Sequence, residues 1–105
     1  ITFVVTMRVA PHNAAALAAL IGKVARLSLA NEPGVIHYGF CERVDEPGTF
    51  VVVEVYADAA AQAAHMQTDW VRDSLPKSMA LIDGRPEIRQ YVTPGTQPVT
   101  ARVKL

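Results

Sequence analysis

The sequence has few of the residues that mark disulfide-rich, metal-binding or nucleic-acid-binding proteins. It contains one cysteine, Cys41, which excludes an internal disulfide and a cysteine-based metal cluster. Ten Lys and Arg residues balance ten Asp and Glu residues, so the clustered positive charge of a nucleic-acid groove is missing. We therefore expect no nucleic-acid partner and, without a disulfide, a location in the reducing cytoplasm.

Long apolar runs and cofactor motifs are missing as well. The apolar runs are far shorter than the roughly 20 residues that span a bilayer, so no membrane partner is expected. The histidines His12, His37 and His65 do not combine with carboxylates at a metal-ligand spacing. There is neither a glycine-rich phosphate loop nor a serine in a nucleophile elbow. The sequence therefore predicts no metal site and no bound cofactor.

The remaining patterns predict one α+β domain. At 105 residues the chain is long enough for a single core. The β-branched run ITFVVTMRV predicts a first strand, and apolar residues at helical spacing predict a helix over about residues 12–30 with Asn13 as its N-cap. Gly22, inside this helix, suggests close packing. VIHYGFCERV and TFVVVEVYA predict two further strands joined by the turn DEPG.

A second helical region and a last strand complete the pattern. Asp58 is a plausible helix cap, Thr68 can recap the helix after a kink, and Pro76 is expected to break or bend it. PEIRQYVTPG predicts the fourth strand. The order β-α-β-β-α-β is the ferredoxin-like arrangement, an antiparallel sheet with both helices on one face. We expect one domain over residues 1–105, with a core of about 2–93 and a C-terminal arm over 94–105.

The third strand has two different faces. Phe50, Val52, Glu54 and Tyr56 share one side, and the opposite side consists of valines only. Because the helices cover only one face of the sheet, the valine face requires another cover. We expect a homodimer in which two copies pack sheet to sheet.

Glu54 and His65 are the leading candidates for chemistry. Glu54 should face the helices, and His65 lies two turns into the second helical region, within reach of the end of the third strand. A buried glutamate needs a partner, so we expect a Glu54–His65 pair. The pair is either a structural tie between strand and helix, or a base in which Glu54 fixes the tautomer of His65.

Aromatic residues around this pair are candidates for substrate binding. Trp70 either belongs to the core or lines a flat pocket and stacks on an aromatic ligand. Tyr38 should face the helices, with Ile36 and Phe40 on the same side of the second strand and Val35 on the opposite side. Tyr56 lies beside Glu54 on the third strand.

Two segments of the chain resemble the antibiotic biosynthesis monooxygenase family. They are EPGVIHYGF and DEPGTFVVVEVYADAAAQAAHMQTDW, and the similarity extends over roughly residues 2–93. The positions that match the family pattern are Glu32, Gly34, Tyr38, Phe50, Glu54, Tyr56, Asp58, Ala61, His65 and Thr68. Two positions depart from it: Trp70-Val71 stands where the family usually has His-Phe, and Tyr56 replaces the commoner Trp.

The resemblance implies a fold, the dimeric α+β barrel, and a type of reaction. Some members are cofactor-free oxygenases that oxidise quinols or polyketide anthrones, with a substrate anion that itself reduces dioxygen. By that resemblance His65 and Glu54 are catalytic, either as the base or as the partner of the substrate oxyanion. Tyr38, Trp70, Tyr56 and Phe40 bind a small aromatic substrate, and no cofactor is needed. The alternatives are a non-catalytic small-molecule-binding or stress-related dimer, a haem degrader, or a sugar-phosphate isomerase. The first strand lacks the Asn of the haem degraders, and no basic cluster for a phosphate is present.

Overall fold

The computed structural model describes residues 1–100, which form one layer of helices on a four-stranded sheet. The elements are β1 (Thr2–Arg8), α1 (Pro11–Asn31), β2 (Val35–Glu42), β3 (Thr49–Tyr56), α2 (Ala59–Met66), α3 (Asp69–Leu81) and β4 (Asp83–Tyr91). The ferredoxin-like α+β fold predicted from the sequence is confirmed. The second helical region consists of two helices, so the order is β-α-β-β-α-α-β.

The sheet is antiparallel throughout, with the strand order β2-β3-β1-β4. Its register aligns Tyr38, Glu54 and Phe3 across three strands on the helix-facing side. One pleat along, Phe40, Val52 and Val5 form the next row, and Ile88 of β4 continues it. Successive rows on one face are therefore two residues, or about 7 Å, apart.

The core lies between this face and α1. Leu17, Ile21 and Val24 of α1 are buried at helical spacing and pack over the inward side chains of the sheet. The helix is long and apolar enough to cross a membrane by length and composition. The residues of this helix that are buried in the structure are Leu17, Ile21, Val24 and Ser28.

The helix boundaries follow local capping chemistry, with one correction to the sequence prediction. The Asp58 side chain accepts a hydrogen bond from the Ala61 amide, and the Thr68 side chain accepts one from the Val71 amide, as expected of N-caps. Asn13 is not the cap of α1: the helix begins at Pro11, and Asn13 instead donates to the Leu81 carbonyl at 3.2 Å. Pro76 does not break α3, which continues to Leu81.

A bulge in β2 corrects the predicted faces of that strand. Val35 pairs with Tyr56, but His37 pairs with Val55, so the register shifts at Ile36. Val35 is thereby turned into the core, whereas Ile36 is 63% exposed and does not share a face with Tyr38. Assigning alternate residues of the strand to opposite faces cannot predict this shift, because it depends on the pairing with β3.

The segment after β4 returns along the sheet edge. The side chain of Gln90 donates to the Val99 carbonyl at 3.0 Å and accepts from the Val99 amide at 2.8 Å. Val99 packs against the small cluster of Phe3, Val35 and Tyr56. The rest of the arm predicted over 94–105, residues 101–105, lies outside the described residues.

The helices are close to only half of the sheet. The backbones of α1 and α2 lie close to β2, and that of α2 also lies close to β3. The backbone of α3 lies close to α1. Over β1 and β4, the backbone of α3 lies further from the sheet, and side chains extend into the space between them. This spacing leaves room for a cavity.

Gly34 and Gly22 have different surroundings, which predict opposite effects of an alanine substitution on the free energy of unfolding. A Cβ at Gly34 would lie 2.4 Å from the Ala61 Cβ, whereas a Cβ at Gly22 would meet only the end of Arg26, at 3.6 Å. The expectation of close packing at Gly22 is therefore wrong. We expect Gly34→Ala to lower the free energy of unfolding by about 1–3 kcal/mol. Gly22→Ala should raise it by about 0.5–1 kcal/mol, because alanine restricts the unfolded chain and favours helix.

Urea unfolding of the two variants beside the parent chain measures both effects. Equal stability of the Gly34→Ala variant and the parent would contradict the close approach of the loop to α2.

Candidate active site

A cavity of about 80 Å³ lies between the sheet and the helices. Its floor is formed by residues of all four strands, and its walls by α1, α2 and α3. Most of its lining is aliphatic, and its ionisable lining residues are Tyr38, Glu54 and His65. These three groups lie at the same end, because Tyr38 pairs with Glu54 across the sheet and the His65 ring lies 5.3 Å from the Tyr38 ring.

His65 is held by the end of α1. The ring is 2% exposed, and its Nδ1 lies 3.0 Å and 3.1 Å from the two carboxylate oxygens of Glu32. Glu32 is the C-cap residue of α1, and its own amide donates to the Ser28 carbonyl. Because a carboxylate only accepts hydrogen bonds, Nδ1 of the neutral imidazole carries the hydrogen.

Trp70 completes this cluster. Its indole Nε1 donates to Glu32 Oε2 at 3.1 Å and to the Ser28 hydroxyl at 3.2 Å. The Ser28 hydroxyl in turn lies 3.5 Å from His65 Nδ1. Glu32 thus receives donors from two different helices, which fixes the position of its carboxylate and through it the His65 ring.

The second ring nitrogen of His65 is directed at the cavity. Nε2 forms no hydrogen bond with residues 1–100, and within that range no fully enclosed side-chain nitrogen or oxygen lacks a partner. Nε2 is therefore open to the cavity that His65 lines. With the hydrogen on Nδ1, Nε2 is the acceptor, which is the form required of a base.

Glu54 does not pair with His65, so the predicted pair is wrong. Its carboxylate accepts a hydrogen bond from the Tyr56 hydroxyl, two residues along the same strand face. Burial raises the pKa of Glu54, while the Tyr56 hydrogen bond and the proximity of the His65 ring act in the opposite direction. The Tyr56 hydroxyl therefore provides the hydrogen bond that the buried Glu54 carboxylate requires. The carboxylate partner of His65 is Glu32 instead.

Tyr38 is a neutral donor at the same end of the cavity. Burial raises its pKa well above the ordinary value, and the nearby charges of Glu54 and Glu32 raise it further. Its hydroxyl forms no hydrogen bond with the described residues, and Tyr38 lines the cavity. A ligand oxygen at this end would therefore meet a hydroxyl donor and an imidazole acceptor.

The other aromatic residues predicted to bind substrate do not line the cavity. Phe40 stacks on Phe50, with ring centroids 5.1 Å apart, one row away from Glu54. Tyr56 is buried behind Glu54, and Trp70 faces Glu32 and Ser28. Sequence reasoning gave Glu32 no role at the site, although Glu32 belongs to the motif that matched the family.

The raised pKa of Glu54 predicts how stability depends on pH. A carboxyl whose pKa is raised by folding favours the folded state below the ordinary value of 4.5. That contribution is lost as the pH rises through the raised pKa. Glu54→Gln, which has no such proton to lose, should therefore gain in melting temperature relative to the parent between pH 4.5 and 8. Thermal melts of both proteins across this range measure the difference, and parallel curves would contradict the shift.

Comparisons with known proteins decide the family. The model of the family described as antibiotic biosynthesis monooxygenase matches residues 1–76. The chain belongs to the antibiotic biosynthesis monooxygenase family. The matched segment contains Glu32, Tyr38, Glu54 and His65, and it ends within α3.

The chain is similar to solved structures and to a further sequence. A candidate antibiotic biosynthesis monooxygenase of Caulobacter crescentus CB15 is 30% identical, with a TM-score of 0.80 over 84% of this chain and 83% of that chain. One from Nitrosomonas europaea is 19% identical, with a TM-score of 0.81 over 89% and 97% of the two chains. The uncharacterised protein sll1783 of Synechocystis sp. is 36% identical over 67 residues, which are 64% of this chain and 46% of that protein. The chain thus matches about half the length of this curated relative.

Proposed function

We propose that this chain is a cofactor-independent monooxygenase that oxidises a small phenolic or quinol substrate with dioxygen. One observation carries the proposal: His65, fixed through Nδ1 by the Glu32 carboxylate, presents Nε2 to a largely apolar cavity. An oriented acceptor in a water-poor space is suited to removing a proton from a phenol. Family membership supports the same reaction class.

The substrate hydroxyl would lie between Nε2 of His65 and the hydroxyl of Tyr38. Proton transfer to Nε2 converts the imidazole into an imidazolium, whose charge the Glu32 carboxylate stabilises at 3.0 Å. Tyr38 keeps its own proton, because burial raises its pKa, and it donates to the developing phenolate oxygen. The aliphatic walls exclude water from the anion.

The phenolate supplies the electrons in the next step. A ring carbon made electron-rich by the charged oxygen reduces dioxygen and forms a carbon–oxygen bond, giving a ring peroxide. The peroxide takes up the proton held on Nε2 of His65, and cleavage of its O–O bond with loss of the ring hydrogen then releases one water and leaves a quinone. One phenol and one dioxygen thus give one quinone and one water, so the balance requires no external reductant.

Oxygen uptake with a panel of naphthols, anthrones and menadiol tests the reaction. We expect at least one panel member to consume dioxygen faster with protein than without it, and to give a quinone with one oxygen atom from labelled dioxygen. Heat-denatured protein serves as the blank for autoxidation. Uptake at the autoxidation rate for every panel member would exclude the proposal for these substrate classes.

A second candidate is a small-molecule-binding dimer without catalysis. The observation that favours it is the Glu32, Ser28, Trp70 and His65 cluster, which also serves to tie α1, α2 and α3 together. Binding of a phenol without oxygen consumption or quinone formation would support this candidate over the oxygenase.

We also propose that two copies pair through the outer face of the sheet, in the cytoplasm. The centre of that face consists of Val4 of β1 and Val51, Val53 and Val55 of β3, all half-buried in the isolated chain. Apolar surface in the middle of a sheet is stabilised when a second sheet covers it.

A charged substitution tests the dimer. Val53→Lys is expected to convert the dimer to a monomer, because a lysine in an apolar interface would lose its hydration. Val44, which is 98% exposed in the β2–β3 turn, provides the matched control Val44→Lys. Analytical ultracentrifugation measures both. A monomeric parent protein, or a dimer that tolerates lysine at position 53, would contradict the interface.

A further inference from the structure

Gln62 of α2 is a buried glutamine whose side chain faces the cavity. It is 7% exposed and lines the cavity, and its carboxamide forms no hydrogen bond with residues 1–100. Within that range no fully enclosed side-chain nitrogen or oxygen lacks a partner, so the carboxamide borders open space. The open space that Gln62 lines is the cavity, so the carboxamide is directed into it.

The unpaired carboxamide lowers the stability of the fold. A buried polar group without a hydrogen bond is unfavourable, and native proteins contain few such groups without a role. Most of the residues that line the cavity are aliphatic, so a leucine of similar volume would fill the same space without this cost. Ser74, another buried polar residue of the lining, donates to the Val71 carbonyl at 3.3 Å. Gln62 has no equivalent partner among the described residues, which indicates that it serves a ligand.

Gln62 lies at the end of the cavity where the reacting hydroxyl is placed. It precedes His65 by three residues on α2, and side chains at this spacing share one helix face, with Cβ atoms about 5–6 Å apart. Ala61, the residue before Gln62, packs against the same small cluster of buried residues as Tyr38. The Tyr38 and His65 rings lie 5.3 Å apart. The carboxamide, the imidazole and the tyrosine hydroxyl are therefore grouped at one end of the cavity.

The carboxamide of Gln62 is a hydrogen-bond donor that carries no charge. Its NH₂ group can donate two hydrogen bonds. The other groups that face this end are Tyr38 on β2, Glu54 on β3 and His65 on α2, with Glu32 behind the imidazole. Glu54 opposes a negative ligand when it is ionised, and His65 receives the proton of the ligand. Gln62 and Tyr38 are therefore the two neutral donors that a ligand anion would meet.

We propose that Gln62 is a catalytic residue whose carboxamide donates a hydrogen bond to the phenolate oxygen, beside the Tyr38 hydroxyl. This inference rests on the proposed function for the position of the reacting hydroxyl. A phenolate oxygen is a stronger acceptor than the oxygen of a neutral phenol, so two donors stabilise the anion more than the phenol. This difference lowers the barrier to proton transfer from the substrate to His65.

The ionisation of a bound phenol tests the inference in the absence of oxygen. The probe is a trifluorophenol with fluorines at both meta positions and the para position. Because fluorine is a poor acceptor, the hydroxyl is the only strong hydrogen-bonding group of this ligand. Fluorine NMR of the complex at increasing pH gives the pKa of the bound phenol. Gln62→Leu should raise this pKa by about one unit, which is a tenfold loss in binding of the anion relative to the neutral phenol.

The matched control is Gln67→Leu, at the exposed glutamine that caps the end of α2. It should leave the pKa of the bound phenol unchanged. Glutamine and leucine are both uncharged, so the titrations of Tyr38, Glu54 and His65 are common to the parent and both variants. An unchanged pKa of the bound phenol in Gln62→Leu would overturn the inference.

Thermal melts without ligand separate this role from a structural one. Gln62→Leu removes an unpaired buried amide, so it should raise the melting temperature by about 4 °C or more. A glutamine that stabilises the fold through a partner would give the opposite result. A lower melting temperature of Gln62→Leu would therefore contradict the inference.

The parent protein provides a measurement that depends on no variant. In NMR spectra of the isotope-labelled parent, the side-chain amide signal of Gln62 should move downfield as the bound trifluorophenol ionises. The corresponding signal of the exposed Gln67 should not move. A Gln62 signal that does not respond to ionisation of the ligand would overturn the inference.

The outcomes distinguish this inference from the proposed function. The expected pKa difference in a protein that consumes no oxygen would uphold Gln62 as a donor to the bound anion and contradict the oxygenase. Oxygen consumption by Gln62→Leu with the kcat of the parent would contradict the inference and leave the oxygenase in place. A parent protein that does not bind the trifluorophenol would contradict both.

Discussion

Replacing His65 with glutamine is expected to lower kcat/KM for the best substrate of the panel by about 10²- to 10⁴-fold. This is the usual contribution of a positioned base. Glutamine keeps much of the volume of the ring and can still contact Glu32, so the loss should come from the missing acceptor Nε2 and not from a collapsed cavity. Initial rates of oxygen uptake over a range of substrate concentrations give the two constants separately.

The pH profile provides the control for this variant. The residual activity of His65→Gln should rise with pH as the substrate phenol ionises in solution, because the base is then no longer required. Circular dichroism melts show whether the variant is folded. A folded His65→Gln protein with the parent rate would remove His65 from the reaction.

Replacing Glu32 with glutamine is expected to lower kcat by about 10²-fold, with little change in KM. Glutamine can still accept from the Nδ1 hydrogen of His65, but its neutral amide no longer stabilises the imidazolium that forms after proton transfer. Glu32 acts through His65 and does not line the cavity, so we treat it as a positioning residue.

A double variant distinguishes positioning from a general loss of stability. If Glu32 acts only through His65, the double variant with glutamine at both positions should be no slower than His65→Gln alone. Glu87→Gln, an exposed glutamate of β4 paired with Arg89, is the matched surface control and should keep the parent rate. Multiplicative losses in the double variant would show that Glu32 and His65 contribute independently.

The fold could be predicted from the sequence because its signals are local. The periodicity of α1, the caps at Asp58 and Thr68, and the alternation of β3 each fix an element without reference to the rest of the chain. The predictions that are wrong concern residues whose conformation depends on contacts with distant parts of the chain. Asn13 bonds Leu81 across the helix layer instead of capping α1, and the bulge at Ile36 depends on pairing with β3.

The candidate site shows the same division. The alternation of side chains along β3 correctly predicts that Glu54 faces the helices. The hydrogen-bond partner of each polar group, by contrast, depends on tertiary packing. Tyr56, two residues from Glu54 on the same face, was the nearer partner for its carboxylate. Glu32 lies 33 residues before His65, and the tertiary fold brings this C-cap residue of α1 into contact with α2. No periodicity within either helix carries that information.

The hydrogen bond from Trp70 to Glu32 gives the protein an internal optical reporter. Trp70 is the single tryptophan, and its indole nitrogen shares a carboxylate oxygen with His65 Nδ1. Any gain of a proton by the imidazole changes the charge beside the indole, and its fluorescence is sensitive to such a change. Rapid mixing with substrate would therefore follow proton transfer at His65 through the native emission, with no label attached.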